Sequence, residues 1–255
     1  MITTPDCALV NALQPSPNLE PRRGTGHPDI LLLHYTGMKS ATKAIDWLAR
    51  PEARVSCHYV IDEAGRITQM VPEIARAWHA GVAYWAGETD INSLSVGIEI
   101  HNPGHDDGYP DFPEVQMGRV AALSLDIVRR WQIRPERVLA HSDVAPRRKI
   151  DPGEKFDWQR LHRAGIGAWV RPEPVDSCDA GFAEGQVSGE VTVAQVLLQS
   201  YGYLVPVTGI LDTETAIVLA AFQRHFRPER VDGRLDRSTL VTLEALVSAT
   251  RPDVA

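Results

Sequence analysis

The feature that most restricts this chain is a change of hydrophobic period along its length. As far as about residue 141, stretches with strand and helix periods alternate, and beyond residue 190 only the helical period remains. LSVGIEI (94–100) alternates strictly, with Val96, Ile98 and Ile100 on one face and Ser95, Gly97 and Glu99 on the other. Such a strand has to cover its apolar face, so Glu99 points away from that packing. DILLLHY (29–35) is a second β-rich stretch. In SATKAIDWLAR, Ser40 is a suitable N-cap, and Ala41, Ile45 and Leu48 share a helical face. CHYVID and RITQMV flank Glu-Ala-Gly as a hairpin would. Residues 114–131 place Val120, Leu123, Ile127 and Trp131 in one stripe, with Asp126, Arg129 and Arg130 outside it. RVLAH then reads as a short strand ending at His141. The order β, α, β, β, β, α, β implies an α/β domain, a mixed central β-sheet flanked by helices.

Residues 171–189 are rich in Pro, Gly, Ser and acids and lack apolar periodicity, which marks a linker between a domain at 1–170 and a smaller one at 190–255. In the smaller part, Val193, Val196, Leu197 and Tyr201 are expected to share a helix face ending at Gly202. Val218, Phe222 and Phe226 mark a second helix. GILDTET (209–215) and GRLDRST (233–239) repeat a Gly turn leading to an Asp at a helix start, so Asp212 and Asp236 are expected N-caps and three helices result. On this reading, truncation after about residue 175 leaves a folded larger domain.

Chemistry gathers near strand ends. His34 and His141 each end a strand, and Asp151 follows ten residues after His141. Hydrolytic zinc is held by three His or carboxylate ligands, with the fourth position left to water. The His34–His141 separation is no local motif, and a histidine often only satisfies a hydrogen bond, so spacing alone leaves both readings open. In an extended segment, Lys149 faces the same way as Asp151. Glu99, on the polar side of its strand, needs a partner.

The motifs LLLHYTG, VSCHYVIDEAGRI, AWHAG, SVGIEI and LAHSDVAPRRKIDPGEKFDW resemble the zinc-dependent N-acetylmuramoyl-L-alanine amidases of the type-2 amidase family, which includes peptidoglycan recognition proteins. The resemblance runs from about residue 26 to 165. It implies that His34, His141 and Asp151 bind Zn2+, that Glu99 is the catalytic carboxylate and that Lys149 assists it. It also implies hydrolysis of the amide joining N-acetylmuramic acid, in the 1,6-anhydro form or not, to L-alanine, with muropeptides or peptidoglycan as partners. Residues 190–248 resemble the helical peptidoglycan-binding domain often joined to such amidases, although FRPERVDG departs from its usual glycine-bearing connection. The rival class is a non-catalytic peptidoglycan receptor. Against it, all three ligand positions and both catalytic positions are filled.

His79 and Trp85, in a loop-like stretch, suit a sugar or muropeptide cleft and are expected substrate contacts. His58 sits mid-strand and reads as structural, whereas His101, His105, His162 and His225 are expected to be solvated. Arg147 and Arg148 read as a plain basic face. A net charge of −7 argues against nucleic acid and anionic membranes. No stretch is long and apolar enough for a membrane span or a signal-peptide core. The three cysteines form no Cys-x-x-Cys pair, in keeping with a reducing compartment. The expected location is therefore cytoplasmic, or periplasmic if a leader is missing from this chain.

Overall fold

The structure, a computed structural model, describes residues 2–250. Its strands are β1 (Ala12–Leu13), β2 (Leu19–Pro21), β3 (Ile30–Tyr35), β4 (Tyr59–Ile61), β5 (Ile67–Gln69), β6 (Ala75–Ala77), β7 (Ser95–Ile100) and β8 (Val138–Ala140). Six of them form one sheet in the order β1-β5-β4-β7-β3-β8, while β2 and β6 pair separately. The expected hairpin β4–β5 is antiparallel, and β4, β7, β3 and β8 run parallel to one another, so the sheet is mixed. The interior strand β3, between β7 and the edge strand β8, is apolar at successive positions because both of its faces are covered, the usual pattern of a buried parallel strand.

Each face of the sheet has its own core. On one side, Leu31, Leu33, Val96, Ile98 and Ile100 pack against α3 (Glu114–Trp131), whose Val120, Leu123 and Ile127 stripe is buried as its spacing requires. Each such fully buried aliphatic side chain contributes about 1.5–3 kcal/mol relative to exposure. Ser40 caps α1 (Ala41–Leu48), its Oγ accepting a hydrogen bond from the Lys43 amide at 3.2 Å. A cap of this kind is worth about 1 kcal/mol.

The other face, with Ile30, Leu32 and Leu139, is covered by the loop that follows β6 and by three helices, α6 (Gly189–Tyr201), α7 (Thr213–Phe226) and α8 (Arg237–Thr250). Between β6 and α6 lie three short helices, α2 (Ile91–Leu94), α4 (His141–Val144) and α5 (Trp158–Arg163). The sheet face and the helical module form one continuous apolar cluster. Asp212 and Asp236 cap as expected, accepting from the amides of Thr215 at 2.8 Å and Thr239 at 2.7 Å. The sequence repeat has a structural purpose. A buried glutamine of the preceding helix, Gln195 for one copy and Gln223 for the other, accepts two turn amides and donates to a turn carbonyl and to the Thr three residues after the cap.

Three expectations need correction. In α6 the buried face is Val191, Ala194, Leu198 and Tyr201, whereas Val193 and Val196 are 45% and 49% exposed. In a helix this apolar, both sets have helical spacing, and only the partner surface selects between them. The stretch 171–189 is bonded to the module instead of hanging free. The Glu173 amide donates to Thr242 Oγ1, Ser238 donates to the Glu173 carbonyl, and Phe182 bridges to Leu235. His225 is 2% exposed, and His101 is 9% exposed with Nδ1 3.1 Å from Thr36 Oγ1, so neither is solvated. Among the described residues, no helix is long and apolar enough to cross a membrane.

Candidate active site

Strand register sets the first geometry. His34 on β3 lies directly opposite Glu99 on β7, so both side chains leave the sheet on the face away from α3, at the C-terminal ends of parallel strands. β8 delivers His141 at its end, where the chain turns at once into α4. Asp151 is brought back to this turn by the Ser142 amide, which donates to the Asp151 carbonyl at 3.0 Å. The Asp151–Pro152 peptide is cis.

The three side chains converge. His34 Nδ1 is 2.8 Å from His141 Nδ1 and 3.3 Å from Asp151 Oδ2, and His141 Nδ1 is 3.0 Å from the same oxygen. All three residues are buried. The His141 Nε2 hydrogen goes to the Ala80 carbonyl at 3.1 Å. His34 Nε2 donates to His79 Nδ1 at 3.0 Å, and His79 Nε2 lies 3.3 Å from Ser95 Oγ, which donates to the Ile91 carbonyl. With the outer contacts made through Nε2, both Nδ1 atoms face each other and a carboxylate oxygen. Burial, reinforced by His141, pushes the His34 pKa down to about 4, so the ring is neutral. Burial alone would raise the pKa of Asp151, but the neighbouring imidazoles outweigh it and keep the carboxyl below its usual range. Donors packed this closely require positive charge among them, and a bound cation supplies it to all three at once. The edges of their triangle are close to the roughly 3.3 Å expected between ligands on zinc bonds of about 2.0–2.1 Å. Two imidazoles and a carboxylate, with no thiolate, suit that ion.

Glu99 and Lys149 line the cleft beside this cluster, as expected, together with Tyr35, Met38, Trp47 and Trp78. Glu99 Oε2 is buried with no hydrogen-bond partner among the described residues. Burial, and secondly the charge of Asp151, pushes the Glu99 pKa well above the ordinary carboxylate value, with Lys149 opposing the shift.

The two expected substrate contacts fall in different places. His79 lines the cleft, but both of its ring nitrogens are engaged and its ring rests on Gly97, where an added Cβ would lie 2.6 Å from Nδ1. It backs His34. Trp85 is 1% exposed and packs against Tyr203 at 4.9 Å and Tyr201 at 5.6 Å, so it belongs to the seam with the helical module and cannot reach a ligand. His58 is structural as expected, accepting from the Gly97 amide at 2.9 Å and donating to the Ala75 carbonyl at 3.1 Å. Arg147 and Arg148 are more than a basic face. Arg147 pairs with Glu214 of the module, and Arg148 donates to the Ala80 carbonyl at 3.0 Å.

The family model for N-acetylmuramoyl-L-alanine amidase matches residues 24–154, and a peptidoglycan binding domain model matches residues 187–243. The chain belongs to the N-acetylmuramoyl-L-alanine amidase family. It is similar to the amidase AmiD of Escherichia coli, 36% identical over 86% of this chain and 82% of that protein. The 1,6-anhydro-N-acetylmuramyl-L-alanine amidase AmpD of the same organism is 34% identical over 58% of this chain and 87% of its own length. A solved complex of E. coli AmiD with anhydro-N-acetylmuramic acid-L-Ala-D-γ-Glu-L-Lys superposes with a TM-score of 0.75, at 34% identity, covering 90% of this chain and 92% of that one. AMPDH3 from Pseudomonas aeruginosa gives 0.74 at 31% identity and covers 99% of this chain and 100% of its own. Both architectures thus include the helical module. The chain is an amidase with a mixed α/β catalytic sheet, and the non-catalytic alternative falls away.

Proposed function

We propose that this amidase hydrolyses the amide between the lactyl carbonyl of N-acetylmuramic acid, in its 1,6-anhydro form, and the L-alanine of the stem peptide, in the recycling of peptidoglycan fragments. The observation that carries the reading is the convergence of His34 Nδ1, His141 Nδ1 and Asp151 Oδ2 beside the unpartnered Oε2 of Glu99. His34, His141 and Asp151 would hold zinc, which when bound supplies Lewis acidity that polarises the scissile carbonyl and acidifies the attacking water. Glu99 takes the proton from that water and delivers it to the leaving L-alanine amine. Lys149, on the same cleft, supplies a positive charge for the oxyanion that develops on the carbonyl oxygen. His79 holds the His34 tautomer by accepting its Nε2 hydrogen.

Incubation with a purified anhydro-muropeptide is expected to release a peptide with a free L-alanine amine together with anhydro-N-acetylmuramic acid, identified by mass. Intact substrate after prolonged incubation would refute the reading. Elemental analysis is expected to find one zinc per chain, and His79→Ala to weaken zinc binding about 10–100-fold in chelator competition, as outer-sphere losses do. An unchanged zinc affinity would return His79 to an ordinary wall residue.

Lys149→Met is expected to lower kcat by roughly 10²–10³, with KM and zinc content nearly unchanged, because oxyanion stabilisation acts only in the transition state. A lysine that merely holds a substrate carboxylate would raise KM at constant kcat. Steady-state kinetics on one defined muropeptide separates the two, and an unchanged kcat would remove Lys149 from the chemistry.

A further inference from the structure

The turn that presents His141 is too short to support itself. α4 has four residues, and one turn of helix fixes several backbone dihedrals for a single internal hydrogen bond. The carboxylate of Asp143, whose side chain is 0% exposed, holds it in place. Its Oδ2 accepts the Ala140 amide at 2.8 Å, tying the turn to the end of β8. The remaining donors come from the helical module. The Tyr203 hydroxyl donates to Oδ1 at 2.7 Å, and His225 Nδ1 donates to Oδ2 at 2.7 Å. Both donors are themselves fixed. Tyr203 packs edge-on to Trp85, and the His225 ring is stacked between Trp158 at 3.7 Å and Phe226 at 3.8 Å.

We infer that the helical module forms part of the support of the metal centre, with Tyr203 and His225 acting as positioning residues that orient His141 through Asp143. The inference rests on the reading of His34, His141 and Asp151 as metal ligands and extends it to side chains that touch neither ion nor substrate. A buried carboxylate needs its donors, so the module determines where Asp143 sits, and Asp143 determines where the turn sits. Movement of the turn reaches two ligands at once. His141 belongs to it, and Asp151 is bonded to it through the Ser142 amide. A module that served only to carry peptidoglycan would not need a buried, three-donor carboxylate one turn from a ligand.

The test uses the full chain with Tyr203→Phe, His225→Phe and His225→Asn. Tyr203→Phe keeps the ring packing and removes one donor. Asn puts an amide hydrogen near the place of Nδ1, so it conserves the bond that Phe deletes. Zinc affinity is measured by competition with a chromophoric chelator, the visible spectrum of the cobalt-substituted protein reports ligand geometry, and thermal unfolding is followed in parallel. Tyr203→Phe and His225→Phe are each expected to weaken zinc binding about tenfold, the low end of what outer-sphere substitutions cost, and to shift the cobalt bands, with His225→Asn returning both toward wild type. Variants that melt earlier but keep the wild-type zinc affinity and cobalt spectrum would overturn the inference and leave these contacts as adhesion alone. His34→Ala serves as the reference. If it loses zinc while Tyr203→Phe does not, only the positioning role fails; if it binds zinc like the wild type, the ligand reading fails and this inference with it.

Discussion

Glu99→Gln is expected to reduce turnover by about 10²–10⁴-fold, the usual contribution of a positioned acid–base group, while zinc stays at one per chain. Glutamine keeps the shape and the register pairing with His34 but cannot accept a proton. Glu99 is not among the three converging donors, so its replacement leaves the ligand set intact. Its burial and its neighbour Asp151 raise its affinity for a proton, which suits a group that must take one from water and give it to an amine in the same cycle. The loss should appear in kcat and in kcat/KM alike, since the proton transfers occur after substrate has bound. Near-normal turnover on a defined muropeptide would move the role to another group in the cleft.

The catalytic half of this fold was legible because its signals were local. The strict alternation of LSVGIEI placed Glu99 opposite the apolar face, and of the α3 stripe Val120, Leu123 and Ile127 are buried while Trp131, at the helix end, is only half-buried. Ser40, Asp212 and Asp236 announced helix starts that the structure bears out. What failed depended on contacts between distant segments. Trp85 looked like a cleft residue because a tryptophan in a glycine-bearing loop has the composition of a sugar site. Its partners, Tyr201 and Tyr203, lie more than a hundred residues away. His225 looked solvated because nothing near it in sequence reveals that Asp143 will meet it. Asp143 itself went unread, although a carboxylate two residues after His141, at the end of an apolar strand, was the available signal. In α6, two apolar faces competed and packing against the rest of the module and its seam selected the one its spacing did not single out.

Removal of everything after residue 175 is expected to cost the catalytic part its stable, soluble fold. Composition had suggested an appendage beyond a linker, but the module completes the core on one side of the sheet. Trp85 alone, 1% exposed in the whole chain, would present up to about 200 Å² to water, or at most about 5 kcal/mol at ~25 cal/mol per Å². That is comparable to the whole net stability of many domains, about 5–15 kcal/mol, and Ile30, Leu32 and Leu139 lie in the same uncovered cluster. The truncated chain should therefore aggregate on expression or melt far below the full chain, and it should bind a dye specific for exposed apolar surface. Such a patch beside the exposed ends of a sheet also gives unfolded and partly folded copies a surface on which to associate, which makes the loss irreversible in practice. A truncated chain that is soluble, melts within a few degrees of the full chain and retains its zinc would mean that the loop after β6 repacks over the sheet by itself, and that the seam around Trp85 joins two bodies that do not depend on each other.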